Sequence, residues 1–321
     1  MARRPVVVQE LVERVLAGEP RAVARAISVV EDGRPEAREL VAELYPHTGS
    51  ASVTGFTGPP GVGKSSLISA LVTLYRGGGQ SVGVVSVDPS SPFSQGALLG
   101  DRIRLTEHFL DPGVYIRSMS TRGHLGGVAE ATLRALAVLD AAGTDVLLLE
   151  TVGVGQSEVE VASVADTVVL VLMPGAGDSI QALKAGVMEI PDVIVINKSD
   201  HPAARSMRTD IRSILSLVPG RKVPIIDTEA IRGEGVAELA DAIAEHRELL
   251  SADDGLERRR RRNIEQEVIG AATADARRRL AAALKADTEL QALLEQVYQR
   301  SLDPISAADL MAERVLGRPA D

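Results

Sequence analysis

Apolar residues follow two rhythms along this chain. Between Val6 and Tyr45 they recur at helical spacing, Leu11 with Val15 and then Val23, Ile27 and Val30, with breaks at Pro20 and Pro35. The middle of the chain alternates short β-branched runs with helical stretches. Strands are predicted at 52–56, 82–87, 114–117, 146–149, 167–172, 193–196 and 223–226. Several are apolar at every position (Val146-Leu-Leu-Leu, Val168-Val-Leu-Val-Leu), the mark of central strands covered by helices on both faces. Strands separated by helices imply parallel pairing, so the expected fold is α/β, a doubly wound, mostly parallel sheet. After Gly255 no strand candidate remains; Leu256 to Leu316 reads as helical with a break at Pro304, either a solvated extension or an arm for docking or dimerisation.

Composition narrows the chemistry. The 321 residues are 45% hydrophobic but only 2% aromatic, so the core is built from aliphatic side chains. So few rings argue against an aromatic stacking platform for single-stranded nucleic acid. The acids number 44 against 35 basic residues, for a net charge of −9, the opposite of a phosphate-backbone binder. There is no cysteine, which excludes disulfides, thiolate nucleophiles and Cys-ligated metals. No apolar run reaches the roughly 18 residues of a membrane span, and Met1-Ala-Arg-Arg-Pro leads into no signal-peptide apolar segment. The expectation is a cytoplasmic protein that binds neither membrane nor nucleic acid.

Three motifs carry chemistry. Gly58-Pro-Pro-Gly-Val-Gly-Lys-Ser65 is a complete GxxxxGK[ST] match between a predicted strand and an apolar helical pattern (Leu67, Ile68, Leu71, Leu74), the context that defines a P-loop. Its backbone N–H groups would cradle phosphate, Lys64 would reach the β and γ oxygens, and the Ser65 hydroxyl would ligate Mg²⁺. Asn197-Lys-Ser-Asp200 follows the strand at 193–196. Asp200 there can accept from guanine N1–H and the 2-amino group, donors that adenine lacks, which favours GTP over ATP. Asn197 and Lys198 would brace the loop and flank the base. Glu150-Thr-Val-Gly153 ends the strand at 146–149. Glu150 is placed to hold Mg²⁺ through water, and Gly153 to offer an N–H to the γ-phosphate. Asp88 and Asp101 lie beyond the strand at 82–87, either near the metal or as ordinary helix caps.

The combination of GPPGVGKSS, VDPSSP, LLGDRIR, TRGHLGG, ETVGVGQSE, PGAGDSIQALKAGVMEI and NKSD resembles the MeaB/ArgK GTPases, densely from about Ala51 to Gly235. Members belong to the P-loop class that also includes nickel-insertion proteins, and they act as chaperones of adenosylcobalamin-dependent acyl-CoA mutases, gating cofactor loading and protecting or reactivating the mutase. The resemblance implies phosphate binding by Gly58, Pro59, Pro60, Gly61, Val62, Gly63, Lys64, Ser65 and Ser66. It implies Mg²⁺ at Ser65, with Asp88, Asp101 and Glu150 at the metal and hydrolytic centre. It implies guanine recognition by Asn197, Lys198 and Asp200, and it places Asp178 and Lys184 in a loop that couples the partner mutase to hydrolysis. The segment that closes over the base reads Thr228-Glu229-Ala230 instead of the family's Ser-Ala, before Gly233-Glu-Gly235; the contact at issue is mostly backbone.

On this reading residues 1–48 form an N-terminal helical segment, 49–251 a GTPase domain and 252–321 a helical dimerisation arm, assembled as a homodimer. Two other readings stand beside it. A metallochaperone GTPase would need metal ligands, and the five histidines are scattered with no pair at ligand spacing. A protein or transport kinase, the older label for such sequences, would pass its phosphoryl group to a side chain. Gln156 is a candidate for positioning water. The five arginines at 258–262, with acids nearby, are expected to be a solvated helical face.

Overall fold

The computed structural model describes residues 6–88, 105–120, 130–151, 161–175, 190–217 and 222–317. They form two compact units, Met1–Arg261 and Arg262–Asp321. The first unit opens with helices α1 (Val8–Leu16), α2 (Pro20–Glu31) and α3 (Ala37–Leu44). Pro20 sits at the start of α2, where its missing N–H would have no helical partner anyway. Then come β1 (Ser52–Thr57), α4 (Lys64–Gly77), β2 (Val82–Asp88), β3 (Val114–Ser120), α5 (Glu130–Ala141), β4 (Val146–Thr151), β5 (Thr167–Leu172), β6 (Val193–Asn197), α6 (Ala204–Leu215), β7 (Ile225–Thr228) and α7 (Val236–Ala252).

The seven strands form one sheet in the order β3-β2-β4-β1-β5-β6-β7, parallel throughout. This is the doubly wound fold that the alternating pattern predicts. Every residue of β4, β5 and β6 is buried, which explains their unbroken apolar runs. Strand alternation divides the core. Val85, Leu147, Leu149 and Val168 pack with α1, α2, α3 and α5, while Val84, Leu148 and Val169 pack with Leu67, Ile68 and Leu71 of α4 and Leu239 of α7. A third cluster seats Met207 and Ile211 of α6 on Leu170, Leu172, Ile194 and Ile196. At the sheet edge Arg117 of β3 pairs with Glu31 of α2.

Helix α8 (Gly255–Ala286) begins with the arginine run; Arg258, Arg261 and Arg262 form the expected solvated face, and the structure corrects that expectation at Arg259 and Arg260. Arg260 donates to both oxygens of Asp166 (2.7 and 2.8 Å) and to the carbonyls of Gly49 and Ala51 (2.6 and 2.8 Å). Asp166, nearly buried, also accepts from the Val53 N–H at 3.0 Å. Arg259 pairs with Asp192 at 2.9 Å, and Asp192 accepts from the Val168 N–H. These arginines clamp the root of α8 to the lower ends of β1 and β5. Hydrogen bonding to Asp166 holds the Arg260 guanidinium above its ordinary pKa. Arg260→Ala is expected to cost about 2 kcal/mol or more by leaving Asp166 uncompensated, below the ~3–5 kcal/mol of a fully buried pair because Arg260 retains some solvent. A urea midpoint unchanged from wild type would contradict this.

In the second unit, α9 (Thr288–Tyr298) and α10 (Pro304–Leu316) bury Leu290 and Ala307. Asp287 caps α9 by accepting from the Glu289 N–H, Asp303 caps α10 through Ile305 and Ser306, and Arg314 bridges to Asp287 at 2.7 Å. Helix α8 buries none of its side chains, and Ile264, Val268 and Ile269 are exposed. Among the described residues no helix is long and apolar enough to cross a membrane.

Candidate functional site

The upper ends of the strands carry the site. β1 ends at Thr57 and the chain turns at Gly58 with φ +138°, where a Cβ would sit 2.1 Å from the Val171 carbonyl oxygen. Gly63, at φ +96°, starts α4 from the left-handed region, and a Cβ there would meet the Asn197 amide nitrogen at 2.4 Å. Only glycine fits either position. Between them the loop folds back over Lys64, whose Nζ donates to the carbonyls of Gly58 (2.8 Å) and Pro59 (3.1 Å) and is 6% exposed. Val62 is buried, while Pro60 and Gly61 are exposed.

In the first turn of α4, the Ser65 hydroxyl donates to Glu150 Oε1 at 2.8 Å. Parallel register explains the meeting: Glu150 stands opposite Phe56 of β1 and Ser86 of β2, so its side chain shares their face, beneath the start of α4. Ser86 donates to the other carboxylate oxygen at 3.4 Å. All three side chains are buried. A hydroxyl beside a carboxylate is a set of hard oxygen donors, the chemistry that suits Mg²⁺. Among the described residues no three histidine, aspartate or glutamate side chains gather as a metal site.

Asn197 joins this loop to the guanine motif. Its amide nitrogen donates to the Val62 carbonyl at 2.8 Å, and its oxygen accepts from the Thr228 hydroxyl (3.1 Å) and the Ala230 N–H (3.2 Å). One buried side chain therefore locks three separate segments together. Lys198, at φ +57°, lies across the P-loop, donating to the Gly61 carbonyl at 3.0 Å and to the Met173 sulfur at 3.3 Å. Asp200 is exposed, and Glu229 bonds to Glu234 through backbone and to Arg232 through its side chain. The structure thus brings together Gly58 to Ser66, Glu150, Asn197 to Asp200 and Thr228 to Ala230.

Asp88 closes β2, with its side chain outside the description. Asp101, Gly153, Gln156, Asp178 and Lys184 lie outside the described residues. Ser86 and Met173 were not anticipated. Ser86 had a signal, a lone hydroxyl within Val82-Gly-Val-Val-Ser-Val-Asp on the same face as Asp88; Met173 had none.

A family model described as methylmalonyl Co-A mutase-associated GTPase MeaB matches residues 23–288. The chain belongs to the MeaB family of GTPases. A GTPase-named protein of Pyrococcus abyssi is 46% identical over 97% of each chain. The mouse protein called methylmalonic aciduria type A homolog, mitochondrial, is 35% identical, covering 79% of this chain and 66% of its own. Among solved structures, that of a LAO/AO transport system kinase aligns with a TM-score of 0.70 at 25% identity, covering 98% of this chain and 100% of that one. The MeaB-family chain is thus a P-loop GTPase, and its site combines a phosphate loop, a buried Ser–Glu pair and a guanine motif in one framework.

Proposed function

We propose that this MeaB-family GTPase binds GTP and Mg²⁺ and hydrolyses GTP as a conformational timer on an adenosylcobalamin-dependent acyl-CoA mutase, gating cofactor loading and protecting or reactivating that enzyme. One observation carries the nucleotide reading, the junction at Asn197, which ties guanine-reading residues to the phosphate loop so that base and phosphates are held by one rigid element. The family description and the name of the mouse relative support the mutase as partner.

In this reading residues 58–66 hold the phosphates through backbone N–H groups and the start of α4. Lys64 exchanges its bonds with the Gly58 and Pro59 carbonyls for phosphate oxygens. Ser65, Glu150, Asp88 and Asp101 would hold Mg²⁺, which when bound neutralises charge on the β and γ oxygens. Gly153 would offer its N–H to the γ-phosphate. Asp200 reads the guanine edge, with Lys198 and the 228–230 segment on either side. The exposed apolar residues of α8 supply a surface for pairing two copies into a homodimer in the cytoplasm.

The test uses the purified chain and the mutase that co-purifies with it from its own host. With γ-labelled GTP the label should emerge as free phosphate, faster when the mutase is present. Label retained on protein would instead favour the kinase reading that the solved neighbour's name suggests. Asp178→Ala and Lys184→Ala should keep basal hydrolysis and lose its stimulation. Stimulation equal to wild type in both variants would remove them from the coupling role.

A further inference from the structure

A cavity of about 600 Å³ opens at the lower end of the sheet, away from the P-loop, between the start of β1, the end of α4 and the outer half of α7. Its floor breaks the rule of the sheet around it. Ser52, Thr54 and Phe56 share one face of β1; Phe56 is sealed in the apolar cluster, but the two preceding positions carry hydroxyls. Thr54 is 1% exposed and Ser52 8%, and neither hydroxyl bonds to a protein group among the described residues; both oxygens stay open to the cavity instead of being sealed beneath it. Each hydroxyl therefore offers a donor and an acceptor to whatever enters the cavity.

The walls repeat the pattern. Arg247 of α7 borders the cavity half-buried, and its guanidinium pairs with no group among the described residues. Arg76, Arg117, Arg208, Arg259 and Arg260, by contrast, each engage a carboxylate. Tyr75 lines the opposite wall; burial, with Asp241 adding to it, pushes its phenol up to about 12, so it remains a neutral donor. The rest of the lining includes Ile243 and Ala244, an apolar surface beside the polar floor. Glu248 stands at the rim, exposed.

We propose that this cavity binds a small carboxylate with a short aliphatic body, the carboxylate facing Arg247 and the hydroxyls of Ser52 and Thr54, the body against Ile243 and Ala244. A single planar guanidinium surrounded by neutral donors matches the two oxygens and single charge of a carboxylate. A phosphate dianion would meet one cation with Glu248 and Asp241 nearby, and a neutral ligand would leave the guanidinium as unpaired as it is now.

The experiment titrates hexanoate, hexanamide and inorganic phosphate separately into the full-length protein by calorimetry. Hexanoate should bind, and hexanamide about tenfold more weakly or worse, the loss expected when a charge-assisted contact becomes a neutral one. Arg247→Gln should weaken hexanoate by a similar factor, and Ala244→Leu, which fills the cavity, should abolish its binding. Both variants should keep the wild-type rate of GTP hydrolysis, which reports an intact fold. No heat from hexanoate, hexanoate binding unchanged in either variant, or phosphate binding more tightly than hexanoate through Arg247 would each overturn the proposal.

Discussion

Lys64→Ala should abolish GTP turnover while the protein remains folded. The Lys64 ammonium lies under the phosphate loop, bonded to the carbonyls of Gly58 and Pro59, so it is held where bound phosphate oxygens would lie. A charge-assisted contact to those oxygens is worth roughly 1.5–3 kcal/mol in binding. Because negative charge builds on the same oxygens as the phosphoryl group transfers, the loss in turnover should be larger, about a hundredfold or more. Lys64→Arg should rescue little. The buried space that fits a slender ammonium stem does not fit a planar fork, and the two substituents differ in how they meet phosphate. The fold should survive because the apolar residues of α4, Leu67, Ile68 and Leu71, are untouched. The measurements are phosphate release under saturating GTP and a thermal melt of each variant. Turnover at the wild-type rate in a folded Lys64→Ala protein would remove Lys64 from the phosphate site.

The sheet was legible because its signal is local. All seven predicted strands are present, and those with unbroken apolar runs match closely in extent. The last one moved, from the expected 223–226 to Ile225–Thr228. Pro224 has no N–H to give to the ladder and serves only as an acceptor, its carbonyl taking the Ile194 N–H. At the other end the strand continues through polar Asp227 and Thr228, because Thr228 pairs in register with Asn197. A polar pair at a strand end looks like a turn until its partner is known. The helical tail was legible as helix and in its break at Pro304, but not in its division at Asp287. Asp287 and Asp303 cap separate helices, signals present in the sequence as an acid just before Thr288 and before Pro304.

The site divides along the same line. The phosphate loop and the guanine motif are contiguous runs whose spacing encodes their geometry, so the sequence reveals them directly. What joins them is not contiguous. Asn197 reaches Val62 across 135 positions, and Arg260 reaches Asp166 across 94. An arginine run read alone has the composition of a solvated face, and only the fold shows that two of its members meet carboxylates, Asp166 buried and Asp192 partly so. Ser86 is intermediate: its lone hydroxyl in an apolar strand was visible, but its partner Glu150 comes from the neighbouring strand.

Asp200→Asn should exchange the base preference from guanine to xanthine. The structure leaves Asp200 exposed at the turn after β6, while the residues before it are fixed, Asn197 to Val62, Thr228 and Ala230, and Lys198 to Gly61. The backbone of the motif therefore owes nothing to the Asp200 carboxylate, and the substitution should alter recognition without loosening the turn. In the proposed site the two carboxylate oxygens of wild type would accept from guanine N1–H and the 2-amino group. With asparagine, one oxygen becomes an N–H₂ donor that confronts a guanine donor, which should weaken GTP by about 1–3 kcal/mol. Xanthine carries a carbonyl in place of the 2-amino group, so the new donor finds an acceptor and the remaining oxygen still takes N1–H. The proposed phosphate contacts at Lys64 and Ser65 would be common to both nucleotides and would cancel in the comparison. Competition of GTP, ATP and XTP against a fluorescent nucleotide, on wild type and variant, reads the preference directly. A wild type that binds ATP as tightly as GTP, or a variant that keeps full preference for GTP, would remove Asp200 from base recognition and reduce the motif to a polar turn held by Asn197.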